Sequence, residues 1–364
     1  MLDYSLTKEQ QMIKKEFAKL MKDLVIENAH DMDEAGAIDP EIVQAVWEMG
    51  ASVSNVPEEY GGFGAESSPI DSAIILEELA YGDMAVAIAG TLPSLFIQPL
   101  LLFGTKAQQQ KYLPLYCGEQ YKACTMAINE PHFGFDAADL KTTATSKNGD
   151  YIINGKKCFV PMAQQSEHIM VAANIEGQNQ LFIVESNNPG IQINEREKNL
   201  GLYGLETNEV TLEECCVPAA DRLGENDGCD YNRIMQMTRI ALCAMATGIC
   251  RASYDFARQY AKDRVQFGEP IAHRQSVAFM IAEMAYEVDA IRLMTWRAAS
   301  KLAAGKDASR ESYLARLYAG EKAMKICDYG VQVLGGHGYI REYPVERYYR
   351  NSRGVSILEG MTSI

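Results

Sequence analysis

The feature that most constrains the fold is a change of apolar rhythm along the chain. Up to about residue 120 the apolar residues recur at helical spacing. Ile70–Ala80 and Met84–Phe103 are the densest runs, and Gly104 is a natural stop for the second. From about residue 123 the rhythm shifts to short β-compatible runs at Tyr151–Val160, Ile169–Ala173, Leu181–Val184, Ile191–Ile193 and Glu209–Leu212, separated by Gly and Asn clusters. Asn154-Gly155 carries a two-residue hairpin signal within the first of them. Helical spacing returns near 231. Ala241, Ala244, Gly248 and Ala252 put small residues where another helix can approach closely. Val277, Met280, Ile281, Met284, Val288 and Ile291 give a second helix its apolar face, and a third runs from Tyr313 to Leu334 into a glycine cluster. Helices segregated from strands argue against a parallel βαβ sheet. They predict an α+β chain with a helical domain over 1–122, a β-domain over 123–228 and a helical domain over 229–364.

Charge narrows the function. The formal net charge of −15 leaves no electrostatic footprint for nucleic acid and repels anionic lipid, so an anionic substrate needs local cations. The nine cysteines are scattered, odd in number and without a CxxC pair. They read as small buried hydrophobes in a reducing compartment, with no metal. The first twenty residues read as an amphipathic helix with Thr7 as N-cap and Gln10 three positions on. They carry neither a signal-peptide core nor an Arg-rich transit pattern, and no apolar run reaches the roughly 20 residues of a membrane span. The expected location is the cytoplasm.

Two segments carry candidate chemistry. Gly335-Gly-His-Gly338 follows a helix and not a strand, so it is no dinucleotide fingerprint. It is either a helix C-cap or a backbone lying close to a ligand. Arg264-Val-Gln-Phe-Gly-Glu-Pro-Ile271 ends one helix, and Gln275 opens the next. Arg264 is either a surface cation or a planar donor for a pyrophosphate. Phe267 can stack on a ring, and Gln275 can both donate and accept.

Together these segments resemble the acyl-CoA dehydrogenase family, whose C-terminal helical domain carries R-x-x-F-G-x-P-I-x-x-x-Q and then Q-x-x-G-G-x-G-Y. The matches are Arg264, Phe267, Gly268, Pro270, Ile271 and Gln275, then Gln332, Gly335, Gly336, Gly338 and Tyr339. The final segment, Ile357-Leu-Glu-Gly-Met-Thr-Ser-Ile364, is similar to the family's I-Y-E-G-T-S-x-I. The resemblance implies a β-barrel-like middle domain and a C-terminal four-helix bundle. It makes Glu359 the base that removes the α-proton of an acyl-CoA, with the β-hydrogen leaving as hydride to flavin N5. It implies FAD contacts at Ile128, Asn129, Phe135, Phe159 and Met361, with Arg264, Phe267 and Gln275 on the ADP part. Gln332, Gly335 and Gly336 then reach the FAD of a neighbouring subunit. Substrate contacts fall on Arg239, Leu358 and Gly360. The implied partners are an electron-transferring flavoprotein and further copies of the chain, as a dimer or homotetramer, or a mixed oligomer. Some family members place the base just before the position of Arg239. Here that residue is Thr238, whose hydroxyl cannot serve.

The chain departs from the family at the redox end of the flavin. The motif T-E-P-x-A-G-S-D reads Asn129-Glu-Pro-His-Phe-Gly-Phe-Asp136, and M-W-I-T-N reads Cys158-Phe-Val-Pro-Met162. Pro161 stands where a threonine usually bonds near N5, and it lacks even a backbone donor. Met361 replaces a further threonine. Ordinary dehydrogenation is the first expectation. An enoyl-CoA reductase, a desulfinase-like member or a mixed-complex subunit is the second, and a non-catalytic role the third. Family members usually continue with a further helical stretch beyond the position of Ile364, and the sequence leaves open whether this form is truncated or processed.

Overall fold

The computed structural model describes residues 5–66 and 68–364. The first four residues of the predicted amphipathic helix lie outside them. The N-terminal third is helical: α1 (Lys8–Leu20), α2 (Ala29–Ala35), α3 (Pro40–Glu48), α4 (Pro69–Gly82), α5 (Met84–Thr91), α6 (Ser94–Phe103) and α7 (Lys106–Tyr116). The capping box at the head of α1 forms as the sequence predicts. Thr7 accepts from the Gln10 N–H, and the Gln10 side chain accepts from the Thr7 N–H. The apolar run from Met84 to Phe103 is two helices, not one. Pro93 brings no N–H to continue α5, and α6 leaves at 43°. Among the described residues no single helix is long and apolar enough to cross a membrane. The bent α5–α6 pair is, but Met84–Leu100 is buried in the fold.

Seven strands follow: β1 (Thr125–Ala127), β2 (Thr143–Lys147), β3 (Asp150–Pro161), β4 (His168–Ile175), β5 (Gln178–Glu185), β6 (Ile191–Arg196) and β7 (Thr207–Val217). The sheet order is β1-β4-β2-β3-β7-β6, with β5 paired on the other edge of β4. It curls round its own core of Ala127, Ile153, Val171, Phe182, Val184 and Leu212, in the barrel-like form the resemblance implies. The hairpin prediction at Asn154-Gly155 is wrong. That pair lies inside β3, where the register against β7 shifts. The turn is made by Asn148 and Gly149, both at positive φ, between β2 and β3. It is the other Asn-Gly pair, placed where both flanking runs can form strands.

The rest is helical: α8 (Tyr231–Asp263), a two-stranded hairpin of β8 (Val265–Gln266) and β9 (Glu269–Pro270), α9 (Gln275–Ala303), α10 (Ser309–Leu334), α11 (Gly336–Tyr339) and α12 (Val345–Ser352). The helices α8, α9 and α10 are the long members of the bundle, and the short α12 packs against α8 and α10. The small residues of α8 do what their spacing predicts. A Cβ on Gly248 would stand 2.2 Å from the carbonyl oxygen of Glu77 in α4, so α4 and α8 are in backbone contact. Buried ions tie the same junction. Arg251 of α8 and Arg292 of α9 both bond Glu77, and Arg251 also bonds Glu78. This seam fixes the N-terminal helices directly to the bundle. Eight of the nine cysteines are buried and all are free thiols.

Candidate active site

Glu359 lies in the turn that follows α12. The Leu358 N–H bonds the Gly354 carbonyl at 2.9 Å, and Gly360 turns the chain with φ +65°. The Glu359 side chain is 15% exposed. Its Oε1 faces two guanidiniums, 3.5 Å from Arg239 Nε and 3.8 Å from Arg316 Nε. Arg316 also donates through Nη2 to the Leu358 carbonyl at 3.0 Å, so it grips the turn itself. Thr238 points away and bonds the Met235 carbonyl. Among the described residues, Glu359 Oε2, Arg239 Nε, Arg316 Nε and the Tyr231 hydroxyl are buried without a hydrogen-bond partner. Burial pushes the Tyr231 phenol up, with the charge of Glu359 adding and Arg239 opposing, so its proton stays on at neutral pH. Orphaned polar atoms are rare in folded cores. The carboxylate's own Oε2 and two guanidinium Nε atoms facing its other oxygen, with the Tyr231 phenol under its charge, mark a place built for a polar ligand.

The shelf under Glu359 comes from the end of β1. Asn129 is buried. Its Nδ2 donates to the Glu359 carbonyl at 2.7 Å, and its Oδ1 accepts the Glu359 N–H at 3.2 Å. Ile128 lies beneath Gly360, where a Cβ would meet its Cδ1 at 2.5 Å. Lys157, fully buried, donates to the Ile128 carbonyl at 3.1 Å and to Glu130 at 2.9 Å. Glu130 also accepts the N–H groups of Lys141 and Thr142. Burial alone would raise the Glu130 carboxyl. The Lys157 ammonium and these donors outweigh it and hold the carboxyl at about 2. Burial draws Lys157 down to about 8 against the attraction of Glu130.

Beside this turn opens a cleft of about 230 Å³ walled by Phe159, Leu202, Thr207, Ile357 and Leu358, with Arg353 at its rim. Phe159 sits at φ +52°. Its N–H bonds the Glu197 carboxylate, which also takes the Thr207 hydroxyl. Lys198 and Arg350 also reach the cleft, though Arg350 is committed to Asp33 and Glu346. Phe135 is half-buried beside His132, and Met361 is buried in the core.

The other candidates sit elsewhere. Arg264 caps the far end of α8, Phe267 is 94% exposed at the tip of the β8–β9 hairpin, and Gln275 opens α9. Gly335 caps α10 and leads into Gly336, and a Cβ on either would meet nothing within 4 Å. Gln332 is exposed one turn before. A bond of 2.7 Å from Tyr260 to His337 joins this glycine loop to the end of α8. At about 1.5 Å rise per residue, Arg264 lies roughly 37 Å along α8 from Arg239. The predicted residues therefore form two groups at opposite ends of the bundle, one round Glu359 and one fully exposed.

Comparison with known proteins agrees with this architecture along the whole chain. Three family models match in order: acyl-CoA dehydrogenase, N-terminal domain, over residues 7–120; the middle domain over 125–215; and the C-terminal domain over 228–364. The chain belongs to the acyl-CoA dehydrogenase family. It is an oxidoreductase of the type that acts on CH–CH groups, and the family is FAD-dependent. An acyl-CoA dehydrogenase of Bacillus subtilis is 34% identical, covering 98% of this chain and 96% of its own. The caffeyl-CoA reductase–Etf complex subunit CarC of Acetobacterium woodii is 34% identical over 94% of this chain and 92% of its own. The solved butyryl-CoA dehydrogenase of Megasphaera elsdenii superposes with a TM-score of 0.88 at 30% identity, covering 100% of this chain and 96% of that one.

Three contributors at the site escaped sequence reasoning. Arg316 and Tyr231 lie on helices whose patterns give no sign of them, and Lys157 reads as an ordinary strand lysine. Gly360 is testable at once. Gly360→Ala forces a side chain into left-handed backbone and against Ile128, at about 1–2 kcal/mol for the conformation alone. The turn carrying Glu359 is expected to shift, with activity falling more than melting temperature. Steady-state kinetics beside a thermal melt checks this.

Proposed function

We propose that this chain is an FAD-dependent oxidoreductase of acyl-CoA thioesters that interconverts saturated and α,β-unsaturated acyl groups, with Glu359 as the base at the α-carbon. The observation that carries the reading is the Glu359 carboxylate. It is nearly buried, flanked by Arg239 and Arg316, and directly follows Leu358, which with Phe159 lines a largely apolar cleft.

The residues present fit the cofactor. Phe159 gives a flat apolar wall and Leu358 an apolar flank, and the orphaned atoms round Glu359 leave polar valence for the thioester. Arg264, Phe267 and Gln275, with Gln332, Gly335 and Gly336, offer exposed donors, a stacking ring and open backbone for the ADP part. Their distance from Arg239 supports delivery to a second copy's cofactor, so one FAD is shared between chains. An apolar stripe on α9, Phe279, Tyr286 and Leu293 at seven-residue spacing, is exposed and suits a homotypic interface. A homotetramer is the proposed assembly.

When bound, FAD supplies the hydride acceptance or donation at the β-carbon. The chain's own work lies at the α-carbon. Glu359 takes the α-proton, Arg239 and Arg316 fix its carboxylate, and Tyr231 keeps a proton to donate into the site. Lys198 and Arg353 supply the local cations that an anionic CoA ester needs on a chain of net charge −15. The free, mostly buried thiols suit a reducing compartment such as the cytoplasm.

One observation favours the reductive direction and a dedicated electron partner. Pro161 brings no N–H, and the amide of Asn129 bonds the Glu359 backbone, so two expected donors are missing from the redox end of the cofactor pocket. An electron-transferring flavoprotein is the proposed partner, in line with the reductase–Etf relative.

The test is a panel of acyl-CoA and enoyl-CoA esters on protein of measured FAD content. Bleaching of the 450 nm band (about that wavelength for any oxidised flavin) by a saturated ester supports dehydrogenation. Reoxidation of reduced enzyme by an enoyl ester supports the reductase. Protein that takes up no FAD would end both readings.

A further inference from the structure

We propose that Asn129 is a positioning residue for the catalytic carboxylate and not a contact of the cofactor. The proposal rests on the reading of Glu359 as the base. The resemblance places residue 129 beside the flavin, yet the side chain there is spent on another task. A carboxamide carries a donor and an acceptor on two separate atoms. Here the donor holds the Glu359 carbonyl at 2.7 Å and the acceptor holds the Glu359 N–H at 3.2 Å. Both groups flank the same α-carbon. The backbone on either side of Glu359 is therefore fixed, and only its side-chain torsions remain free. The single hydroxyl oxygen of the threonine usual at this position cannot span both groups as two separated amide atoms do.

The clamp is itself anchored. The Asn129 carbonyl accepts the Cys158 N–H at 2.9 Å, and Asn129 is 4% exposed. On either side, the Ile128 carbonyl and the Glu130 carboxylate both bond Lys157. Ile128 lies under the backbone of Gly360, the residue after Glu359, so close that a Cβ there would push the Ile128 Cδ1 aside. Residues 128–130 thus form a rigid shelf that sets the height of the catalytic turn, and Asn129 is its hydrogen-bonding contact. Elsewhere the Glu359 carboxylate has only the two longer guanidinium approaches, of 3.5 and 3.8 Å, to hold it. Misplacing a reacting group by about 1 Å can cost on the order of 10²-fold in rate.

The experiment isolates proton removal from hydride transfer. Acetyl-CoA has α-protons and no β-carbon, so the FAD-loaded enzyme in D₂O can exchange its α-protons and do nothing more. Exchange is followed by NMR across pH in wild type, Glu359→Gln, Asn129→Ala and Asn129→Asp, with FAD content, flavin spectrum and acetyl-CoA affinity measured on each. Asn129→Ala is expected to lose about 10²-fold in exchange at unchanged affinity, FAD content and spectrum. Asn129→Asp keeps the acceptor and loses the donor. It is expected to slow exchange as well and to displace its pH profile, and it decides the matter if the alanine variant fails to fold. Wild-type exchange in both Asn129 variants, with lost FAD or an altered spectrum, would make residue 129 a cofactor contact and overturn the proposal alone. Equal exchange in wild type and Glu359→Gln would overturn the base and the clamp together.

Discussion

Glu359→Gln is expected to slow flavin reduction by roughly 10²- to 10⁴-fold while leaving thioester binding within a few-fold. Glutamine keeps the shape of the side chain and its reach to Arg239 and Arg316, but it cannot take a proton. Binding contacts survive and the proton transfer does not, the pattern of an interaction made only in the transition state. No neighbour replaces the base. Glu130 is a second carboxylate whose charge reaches Tyr231, but its oxygens are engaged by Lys157, Lys141 and Thr142, and it is held at about 2. Thr238 is a hydroxyl bonded to a carbonyl. Rapid mixing with the best ester of the panel gives the reduction rate, and a spectral titration gives affinity. Near-normal bleaching in the glutamine variant would remove Glu359 from the chemistry.

Local features of the chain were legible because each is written within a few residues. The Thr7–Gln10 box, the Gly104 stop and the small face of α8 each state their own geometry. The strands between 150 and 217 announced themselves by composition. The hairpin was misassigned because two Asn-Gly pairs stand six residues apart, and a turn signal alone does not say which pair has strands on both sides. The pairing of β2 with β3 decides it. The split at Pro93 is a proline rule overlooked inside a strongly apolar run.

At the site, motif matching identified the residue types but not how they divide in space. Arg264 and Glu359 lie in one domain match, yet a 33-residue helix carries the first far from the second. Nor could spacing show that Asn129 meets Glu359, because 230 positions separate them and their pairing depends on β1 docking against the turn after α12. Tyr231 and Arg316 act through burial, which no single residue announces. What the resemblance treated as a departure at the flavin is, in the folded chain, a contact to the Glu359 backbone.

Lys157→Met is expected to be the most destabilising single change near the site, at about 3–5 kcal/mol, since it strands the Glu130 carboxylate in the core. The double variant Lys157→Met/Glu130→Gln should recover part of that loss. No charge is left buried, but Lys141 and Thr142 donate to different oxygens of Glu130, so the single amide oxygen can keep only one of the two bonds. pH separates this account from simple loss of packing. In the wild type the Glu130 carboxyl is depressed from 4.5 to about 2, so its contribution is full above about 4.5 and is lost as pH falls towards 2. Without the ammonium, burial raises the carboxyl instead, and the variant gains by taking up a proton as pH falls. The gap between wild type and Lys157→Met is therefore expected to be widest near neutrality and to narrow as pH falls, first as the variant's raised carboxyl takes up its proton above about 4.5 and then, below 4.5, as the wild type loses the contribution of Glu130. Denaturant midpoints for the wild type, Lys157→Met, Glu130→Gln and the double variant, each with Asn129 intact, measure it from pH 7 down to about pH 3. A gap that stays constant with pH would assign the loss to the methylenes of Lys157. A gap that narrows assigns it to the buried charge, and so to the shelf on which Asn129 and the Glu359 turn rest.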